Sequence, residues 1–221
     1  MLKSGELPVV QQSKLFKNVT KTEIAELLAH LAAETVAFQE GERIWQAGET
    51  AAQIGLVLSG HVQIIKEDFH GNRMILTKVA SSGIFGEAYA YAAPDTLPVS
   101  VDMAESGRIL FLQPEKMLAA SAWPGGGQLL RNILQILAQK SLMLNQKIEI
   151  LSQRKVEDKV LAFLIFQSRA QKSRTLLIPY DRQEMADALG VERSALSAVL
   201  SKMKKAGKID FHKNRFELLS D

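Results

Sequence analysis

The segment from Asp181 to Met203, DRQEMADALGVERSALSAVLSKM, restricts the fold of this chain more than any other stretch. It places a small residue, a glycine and an apolar residue at Ala186, Gly190 and Leu196, where two helices that cross through a tight turn tolerate few alternatives. Further apolar residues surround these three at helical spacing, namely Met185, Leu189, Val191, Val199 and Leu200. The segment therefore predicts a helix-turn-helix, for which an ordinary helical hairpin is the alternative.

Basic residues concentrate in the same part of the chain. From residue 153 to the end, 14 Lys and Arg stand against 9 Asp and Glu, a net charge of +5, while the preceding residues carry 13 against 15, a net charge of −2. A basic surface suits nucleic acid, because each phosphate that is neutralised releases counterions. Together with a helix-turn-helix, this asymmetry predicts binding to double-stranded DNA.

Composition excludes several other functions. The chain contains no cysteine, so disulfides, cysteine-ligated zinc, iron–sulfur clusters and thiol switches are excluded. No GxSxG, HExxH or GxxxxGK pattern occurs, and we expect no catalytic residues, no metal site and no enzyme activity. No apolar run reaches the length of a membrane span, and Met1 to Leu7 lacks the apolar core of a signal peptide. We therefore expect a soluble, cytoplasmic protein.

The first half of the chain has the pattern of antiparallel β-structure. Thr20 to Leu31 predicts one short amphipathic helix with Thr20 as its N-cap. Between Thr35 and Leu112, short apolar runs alternate with turn residues, and His70 to Asn72 suits a hairpin turn. The glycines that separate these runs are Gly41, Gly48, Gly60, Gly71 and Gly83. This pattern predicts a β-domain.

A long helix is expected after the break at Trp123 to Gly127. Apolar residues then alternate four and three apart, which is the spacing of a coiled coil, with one polar interruption. The positions on this seam are Leu130, Leu134, Leu137, Ser141, Leu144, Ile148 and Leu151. We expect a self-pairing helix and hence a homodimer, the alternative being a helix buried in the protein's own core.

The C-terminal part completes a winged helix around the motif. Arg174 to Pro179 predicts a short strand, and KIDFHKNRFELL alternates apolar and polar residues around a turn at His212 to Asn214, which predicts a β-hairpin wing. A further helix is predicted from Val156 to Gln171, with an apolar face formed by Val160, Leu161, Leu164 and Ile165.

Together these features resemble the CRP/FNR superfamily of bacterial transcription regulators. The resemblance is carried by the glycine-separated β segment, the FGE at Phe85 to Glu87, the leucine-rich helix and RQEMADALGVERSALS. It implies an α+β fold with an effector-sensing β-roll (a double-stranded, jelly-roll-like β-helix) at 1–126, a dimerisation helix at 127–152 and a winged helix-turn-helix at 153–221. It also implies effector-controlled binding of a dimer to a palindromic operator, with RNA polymerase as a candidate further partner.

The chain departs from the cyclic-nucleotide binders of this family. In those proteins the amides after a GE pair hold the cyclic phosphate, and an arginine followed by a small residue neutralises its charge. Gly86 and Glu87 match the GE pair, but Leu97 or Pro98 stands at the arginine position, and no Arg or Lys occurs from residue 88 to residue 102. Because a buried phosphate without a cationic partner is costly to desolvate, we expect an effector other than cyclic AMP.

The expected effector pocket is apolar with a few hydrogen-bonding groups, which suits an uncharged or aromatic small molecule. The resemblance assigns to it Gly86, Glu87, Tyr89, Tyr91, Leu97, Pro98, Leu144 and Asn145. Core packing is an equal alternative for the two tyrosines. A haem-based sensor would need a histidine ligand, whereas we expect the histidines to lie at the surface, and no cofactor is predicted. These histidines are His30, His61, His70 and His212.

The resemblance also assigns the residues that read DNA bases. Arg193 matches a guanine-reading arginine, since its fork can hold O6 and N7 of guanine, and Ser194 and Ser197 share its face. Ser194 and Ala198 stand where relatives carry a glutamate and a second arginine, so the operator sequence is not implied.

Other positions match contacts to the DNA backbone. Arg182 and Gln183 match phosphate contacts that the helix amides would strengthen, and His212 matches a contact from the wing. Four lysines are expected to form a solvated basic face, Lys202, Lys204, Lys205 and Lys208. The remaining alternative, an interaction module that does not bind DNA, would not need such a basic winged helix.

Overall fold

The computed structural model describes residues 2–3, 5–50, 53–67, 73–93 and 95–219. Contacts divide the chain into two compact units, residues 1–139 and 140–221. The hairpin turn predicted at 70–72 lies outside the described residues. Within the described ranges, no helix has the length and apolar character needed to cross a membrane.

The first unit begins with two short helices, α1 (Leu7–Gln12) and α2 (Lys21–His30). The predicted N-cap of α2 is confirmed, because the Thr20 hydroxyl accepts a hydrogen bond from the amide of Glu23 and the Glu23 carboxylate accepts one from the amide of Thr20. This capping box satisfies two amides that a helix start leaves open. Ile24 and Leu27 are fully buried, as the amphipathic pattern predicts.

Six strands form one antiparallel sheet in this unit, as predicted. They are β1 (Glu34–Phe38), β2 (Arg43–Trp45), β3 (Ile54–Glu67), β4 (Arg73–Ala80), β5 (Ile84–Phe85) and β6 (Ser100–Leu112). The order is β1-β6-β3-β4, with β2 paired to β6 and β5 to β3. β6 begins well before its C-terminal apolar run, RILFL at residues 108–112, since Ser100 and Val101 already pair with Ile65 and Ile64 of β3.

Three helices accompany the sheet, α3 (Glu87–Ala92), α4 (Pro114–Leu118) and the predicted long helix α5 (Gly126–Ser152). The first turns of α5 belong to the core of the first unit, where Leu129, Ile133 and Ile136 are buried. The side-chain amide of Asn132, also buried, donates to the carbonyls of Leu15 (2.9 Å) and Lys17 (2.8 Å). These contacts anchor the start of α5.

The break before α5 is a packed joint. Gly125 has a φ of +75°, which favours glycine, and a Cβ on Gly126 would lie 1.7 Å from the carbonyl oxygen of Ala120. A Cβ on Gly127, by contrast, would meet nothing within 4 Å. Two of the three glycines are therefore required by geometry.

The second unit is a winged helix-turn-helix, as predicted. Its elements are α6 (Val156–Gln171), β7 (Thr175–Leu177), α7 (Arg182–Leu189), α8 (Arg193–Lys205), β8 (Ile209–His212) and β9 (Arg215–Leu218). The strands form an antiparallel sheet in the order β7-β9-β8. The predicted face of α6 needs one correction, because Phe163 is buried and Ile165 is exposed. The overall α+β class is confirmed.

Candidate DNA-binding surface and effector region

The helices α7 and α8 meet as the sequence predicts. Ala186 and Leu196 are completely buried, and Gly190 ends α7 with a φ of +59°. Glycine adopts this left-handed conformation without strain. The amide of Val191 donates to the carbonyl of Ala186 (3.0 Å), which closes α7 and turns the chain into α8.

The N-terminus of α7 is already occupied by a carboxylate. Asp181 accepts hydrogen bonds from the amides of Gln183 (2.7 Å) and Glu184 (2.8 Å), and the amide of Asp181 donates to the Glu184 carboxylate. Asp181 therefore already engages two of the amides that were expected to strengthen a phosphate contact. α8 begins without a side-chain cap from Glu192, so its first amides are the ones open to an anion.

Arg182 ties the start of α7 to the wing. Its guanidinium carbon lies 5.2 Å and 5.6 Å from the ring centres of Phe211 and Phe216, and Nη2 donates to the carbonyl of Lys213 (3.4 Å). Burial, followed by the charge of nearby Arg193, lowers the pKa of Arg182. The two predicted DNA-contacting arginines therefore lie in one electropositive region.

The wing turn and the start of α7 enclose a cavity of about 520 Å³. It is lined by Pro179, Tyr180, Asp181, Arg182, Lys213 and Asn214. His212, at the end of β8, is exposed beside this turn. Gln183 is exposed as well, although its side-chain amide donates to Asp187 (2.9 Å). Of the residues assigned to backbone contacts, Arg182 therefore lines this concave surface, while Gln183 and His212 are exposed at positions next in sequence to lining residues.

α8 exposes the residues predicted to read bases. Arg193, Ser194 and Ser197 are exposed, while Leu196 and Leu200 are buried. The Ser201 hydroxyl donates to the carbonyl of Ser197 (2.9 Å). Among the described residues, the hydroxyls of Ser194 and Ser197 have no hydrogen-bond partner and are open to DNA.

The four lysines of the expected solvated face are exposed, but three of them are ion-paired. Glu157 accepts hydrogen bonds from Lys208 (2.8 Å) and Lys202 (3.3 Å), and Lys204 pairs with Asp210. The hydrogen bond from Lys208, followed by that from Lys202, holds the pKa of Glu157 below its usual value. The sequence gives no local signal of these pairs, because Glu157 is 45 and 51 residues away from its partners.

In the first unit, Gly86 stands at the start of α3 with a φ of +81°. A Cβ there would lie 2.5 Å from two ring atoms of Trp45, so packing alone requires glycine. Glu87, the first residue of α3, is buried. Trp45 also lies near Phe85 and Phe111, with ring centres 5.0 Å and 6.1 Å away.

The other predicted effector residues differ in their exposure. Burial raises the pKa of Tyr89 and raises that of Tyr91 to about 12, and the Tyr91 hydroxyl donates to Met117 Sδ (3.8 Å). Tyr91 packs against the core of the first unit, and Leu97 is buried in the same unit, while Pro98 is exposed. Leu144 and Asn145 are exposed on the part of α5 that belongs to the second unit.

Sequence reasoning missed a buried carboxylate in this unit. Asp102 is 4% exposed and accepts hydrogen bonds from Arg43 Nε (2.7 Å) and Arg73 Nη2 (2.6 Å), while Glu67 lies 3.4 Å from Arg73. The hydrogen bond to Asp102 is the main cause of the raised pKa of Arg43. A charged residue inside the apolar run VSVDMA is the signal that could have revealed it.

Comparison with known families matches both parts of the chain. The model of the cyclic nucleotide-binding domain matches residues 35–122, and that of the Crp-like helix-turn-helix domain matches residues 158–220. Potassium channel KAT1 of Oryza sativa subsp. japonica is 38% identical over 80 residues, which are 36% of this chain and 11% of the channel. That likeness is thus confined to a small part of the channel.

Solved structures share this fold. The catabolite activator protein of Thermus thermophilus is 21% identical with a TM-score of 0.57, covering 93% of both chains. CLP of Xanthomonas campestris, described as a c-di-GMP responsive global regulator, is 20% identical with a TM-score of 0.58, covering 91% of this chain and 100% of that one. CprK complexed with OCPA is 13% identical with a TM-score of 0.67, covering 88% and 89%. The chain belongs to the CRP/FNR superfamily of DNA-binding transcription regulators and joins a cyclic nucleotide-binding domain to a Crp-like helix-turn-helix domain.

Proposed function

We propose that this regulator is a homodimer that reads DNA through α8 and responds to a small molecule other than a cyclic nucleotide. The proposed DNA contacts rest on one observation: Arg193, Ser194 and Ser197 are exposed together on α8, and the first amides of this helix have no side-chain cap. Arg193 would hold a guanine, and the two hydroxyls would donate to bases or phosphates. Arg182, Gln183 and His212 would contact the backbone. Such a protein would act in the cytoplasm, with RNA polymerase as a candidate partner.

The apolar seam of α5 supports the dimer. Leu134, Leu144 and Ile148 are 66%, 61% and 64% exposed, and they follow the heptad spacing. A row of exposed leucine and isoleucine side chains on one helix is costly in water unless a second surface covers it. Pairing with the same seam of a second copy buries both rows and presents two copies of α8 to two half-sites.

Three features of the first unit support an effector without a phosphate. Residues 88–102 contain no Arg or Lys, Leu97 is in the core, and Trp45 covers the side of Gly86. Arg43 and Arg73, which contact Asp102 at the end of this segment, are ion-paired with Asp102 and Glu67. A phosphate monoanion would thus lack a free cationic partner here.

The second candidate is a cyclic nucleotide. It is favoured by the match of the cyclic nucleotide-binding domain to residues 35–122 and by the buried Glu87 that follows Gly86. A thermal-unfolding screen of the full chain separates the two, with cyclic AMP, cyclic di-GMP and a set of uncharged aromatic metabolites as probes. A ligand at about a hundred times its dissociation constant stabilises the fold by about 2.7 kcal/mol, which shifts the unfolding temperature by several degrees.

We expect such a shift with an aromatic compound and none with either nucleotide. A shift with cyclic AMP would replace the proposed effector class by the second candidate. The DNA-binding part of the proposal is tested separately, by the shift of a palindromic duplex that is lost as the salt concentration rises.

A further inference from the structure

Glu157, in the first turn of α6, holds two lysines from the end of the recognition helix and the loop after it. Its two carboxylate oxygens accept one hydrogen bond each, from Lys208 (2.8 Å) and Lys202 (3.3 Å). The Lys202 side chain is 74% exposed, so the pair lies at the surface of the module. A carboxylate on α6, outside the helix-turn-helix, therefore pairs with lysines at the C-terminal end of α8 and just beyond it.

Most of the lysines at this end of α8 and in the loop after it are ion-paired with carboxylates. The stretch from Lys202 to Lys208 carries four lysines. Asp210 pairs with Lys204 and Glu157 with two others, whereas Lys205 makes no ion pair within the described part of the chain. The pKa of Lys208 is raised, mainly by its hydrogen bond to Glu157, which agrees with the lowered pKa of Glu157. Both groups are thus charged at neutral pH.

Lys202 lies where a DNA backbone would compete for it. It follows Ala198 by four residues and Ser194 by eight, so it continues the flank of α8 that begins at the predicted base-reading end. Phosphates border a helix that lies in the major groove, and cations on its flanks contact them. Glu157 and a phosphate would then bind the same ammonium group.

We infer that Glu157 restrains the sequence-independent affinity of this protein for DNA by competing with phosphates for Lys202 and Lys208. The inference rests on the proposed role of α8 as the recognition helix. Phosphate contacts attract all sequences alike, so weakening them raises the ratio of specific to non-specific binding. Glu157 acts through the two lysines and is a positioning residue, without a DNA contact of its own.

The test compares full-length wild type with Glu157→Gln on a random-sequence duplex, by fluorescence anisotropy between about 50 mM and about 200 mM salt. We expect Glu157→Gln to bind about threefold to tenfold more tightly at the lower salt, and the slope of log affinity against log salt to steepen by about 0.9 for each phosphate gained. A variant that only loosens the fold would lose affinity, so the sign of the change identifies the mechanism. Unchanged affinity and slope would overturn the inference.

The matched control is Asp158→Asn, which removes the same charge from the neighbouring residue. Asp158 contributes only the smallest effect on the pKa of Lys208, so its loss should leave binding close to that of wild type. An equal gain with Asp158→Asn would mean that net charge alone is responsible and would overturn the role of the pair. Adding Lys202→Gln and Lys208→Gln to Glu157→Gln should abolish the gain.

Lysine variants in the wild-type background give an answer that does not depend on the folding of Glu157→Gln. Lys205→Gln should flatten the salt slope by about 0.9, whereas Lys202→Gln should change it much less, because Glu157 already engages that lysine. Equal effects of these two variants would contradict the inference. If wild type binds no duplex at all, the proposed role of α8 fails instead, and the two failures are thereby distinguished.

Discussion

Among the residues proposed to contact DNA, Arg193 is the one expected to contribute most to base recognition. It is exposed in the first turn of α8, and Ser194 and Ala198 replace the charged readers of relatives, so no other arginine on α8 can form a bidentate contact with a guanine. We expect Arg193→Ala to weaken binding to the specific site by about 1–3 kcal/mol and to relax the preference at one base pair. Selection of binding sites from random DNA measures both effects.

Ser201→Ala provides the control for this prediction, because the Ser201 hydroxyl is already bonded to the carbonyl of Ser197. Its selected sites should match those of wild type. If Arg193→Ala retained the wild-type base preference, Arg193 would not be the guanine reader.

Substitution of Gly86 measures how strongly packing against Trp45 requires a glycine at this position. Gly86→Ala combines a φ of +81° with a Cβ 2.5 Å from the ring of Trp45, and we expect it to destabilise the protein by about 2–4 kcal/mol. Gly41 has nearly the same φ, +82°, but open space around its Cβ, so Gly41→Ala should lower stability by only about 1 kcal/mol. Urea unfolding of both variants gives the difference. Equal losses of stability in the two variants would show that the Trp45 ring moves aside at little cost.

Individual residues were predictable where the governing interaction is local. Thr20 caps α2 through Glu23, three residues away, and Gly190 supplies a left-handed turn, so short sequence patterns were sufficient. The lysine pairs and the Asp102 cluster were not predictable, because strand pairing or helix packing brings their partners together from distant parts of the chain. The effector residues remain a prediction that rests on resemblance.

At the level of the element, α5 carries the clearest test. Leu144 lies on the heptad seam, whereas Met143 is equally exposed but rotated by about 100° around the helix. We expect Leu144→Asp to weaken self-association at least about tenfold, because it places a charge in an apolar seam. Met143→Asp should leave the dimer intact. Sedimentation velocity over a concentration series measures both, and dissociation by both variants alike would argue against a specific seam.

The elements themselves were largely predictable. The boundaries of α6 and the existence of α5, α7, α8 and the wing follow from apolar spacing and turn residues. The start of β6 at Ser100 was not predicted, because the residues that pair with it, Ile64 and Ile65 of β3, are distant in the sequence. The alternative of a wholly buried α5 does not hold, since Leu144 and Ile148 are exposed, although the first turns and Ile150 near the end are buried in the cores of the two units.

For the whole molecule, the symmetry of the proposed dimer determines the form of the operator that we expect. A two-fold dimer presents two copies of α8, so sites selected by wild type should contain inverted half-sites with centres about one helical turn apart. Leu144→Asp should select isolated half-sites with lower affinity. A direct repeat or a single half-site selected by wild type would contradict the proposed symmetry.

The joint before α5 has a consequence for anyone who fuses the first unit to another protein. A run of three glycines resembles a flexible linker and would be an obvious choice for a fusion point. Gly126, however, packs so closely against Ala120 that there is no room for a methyl group, and only Gly127 of the three tolerates a side chain. A chimera joined at this point would lose the geometry with which α5 leaves the sheet domain. The exchange point should lie farther along α5, so that the joint is transplanted intact with the β-domain it belongs to.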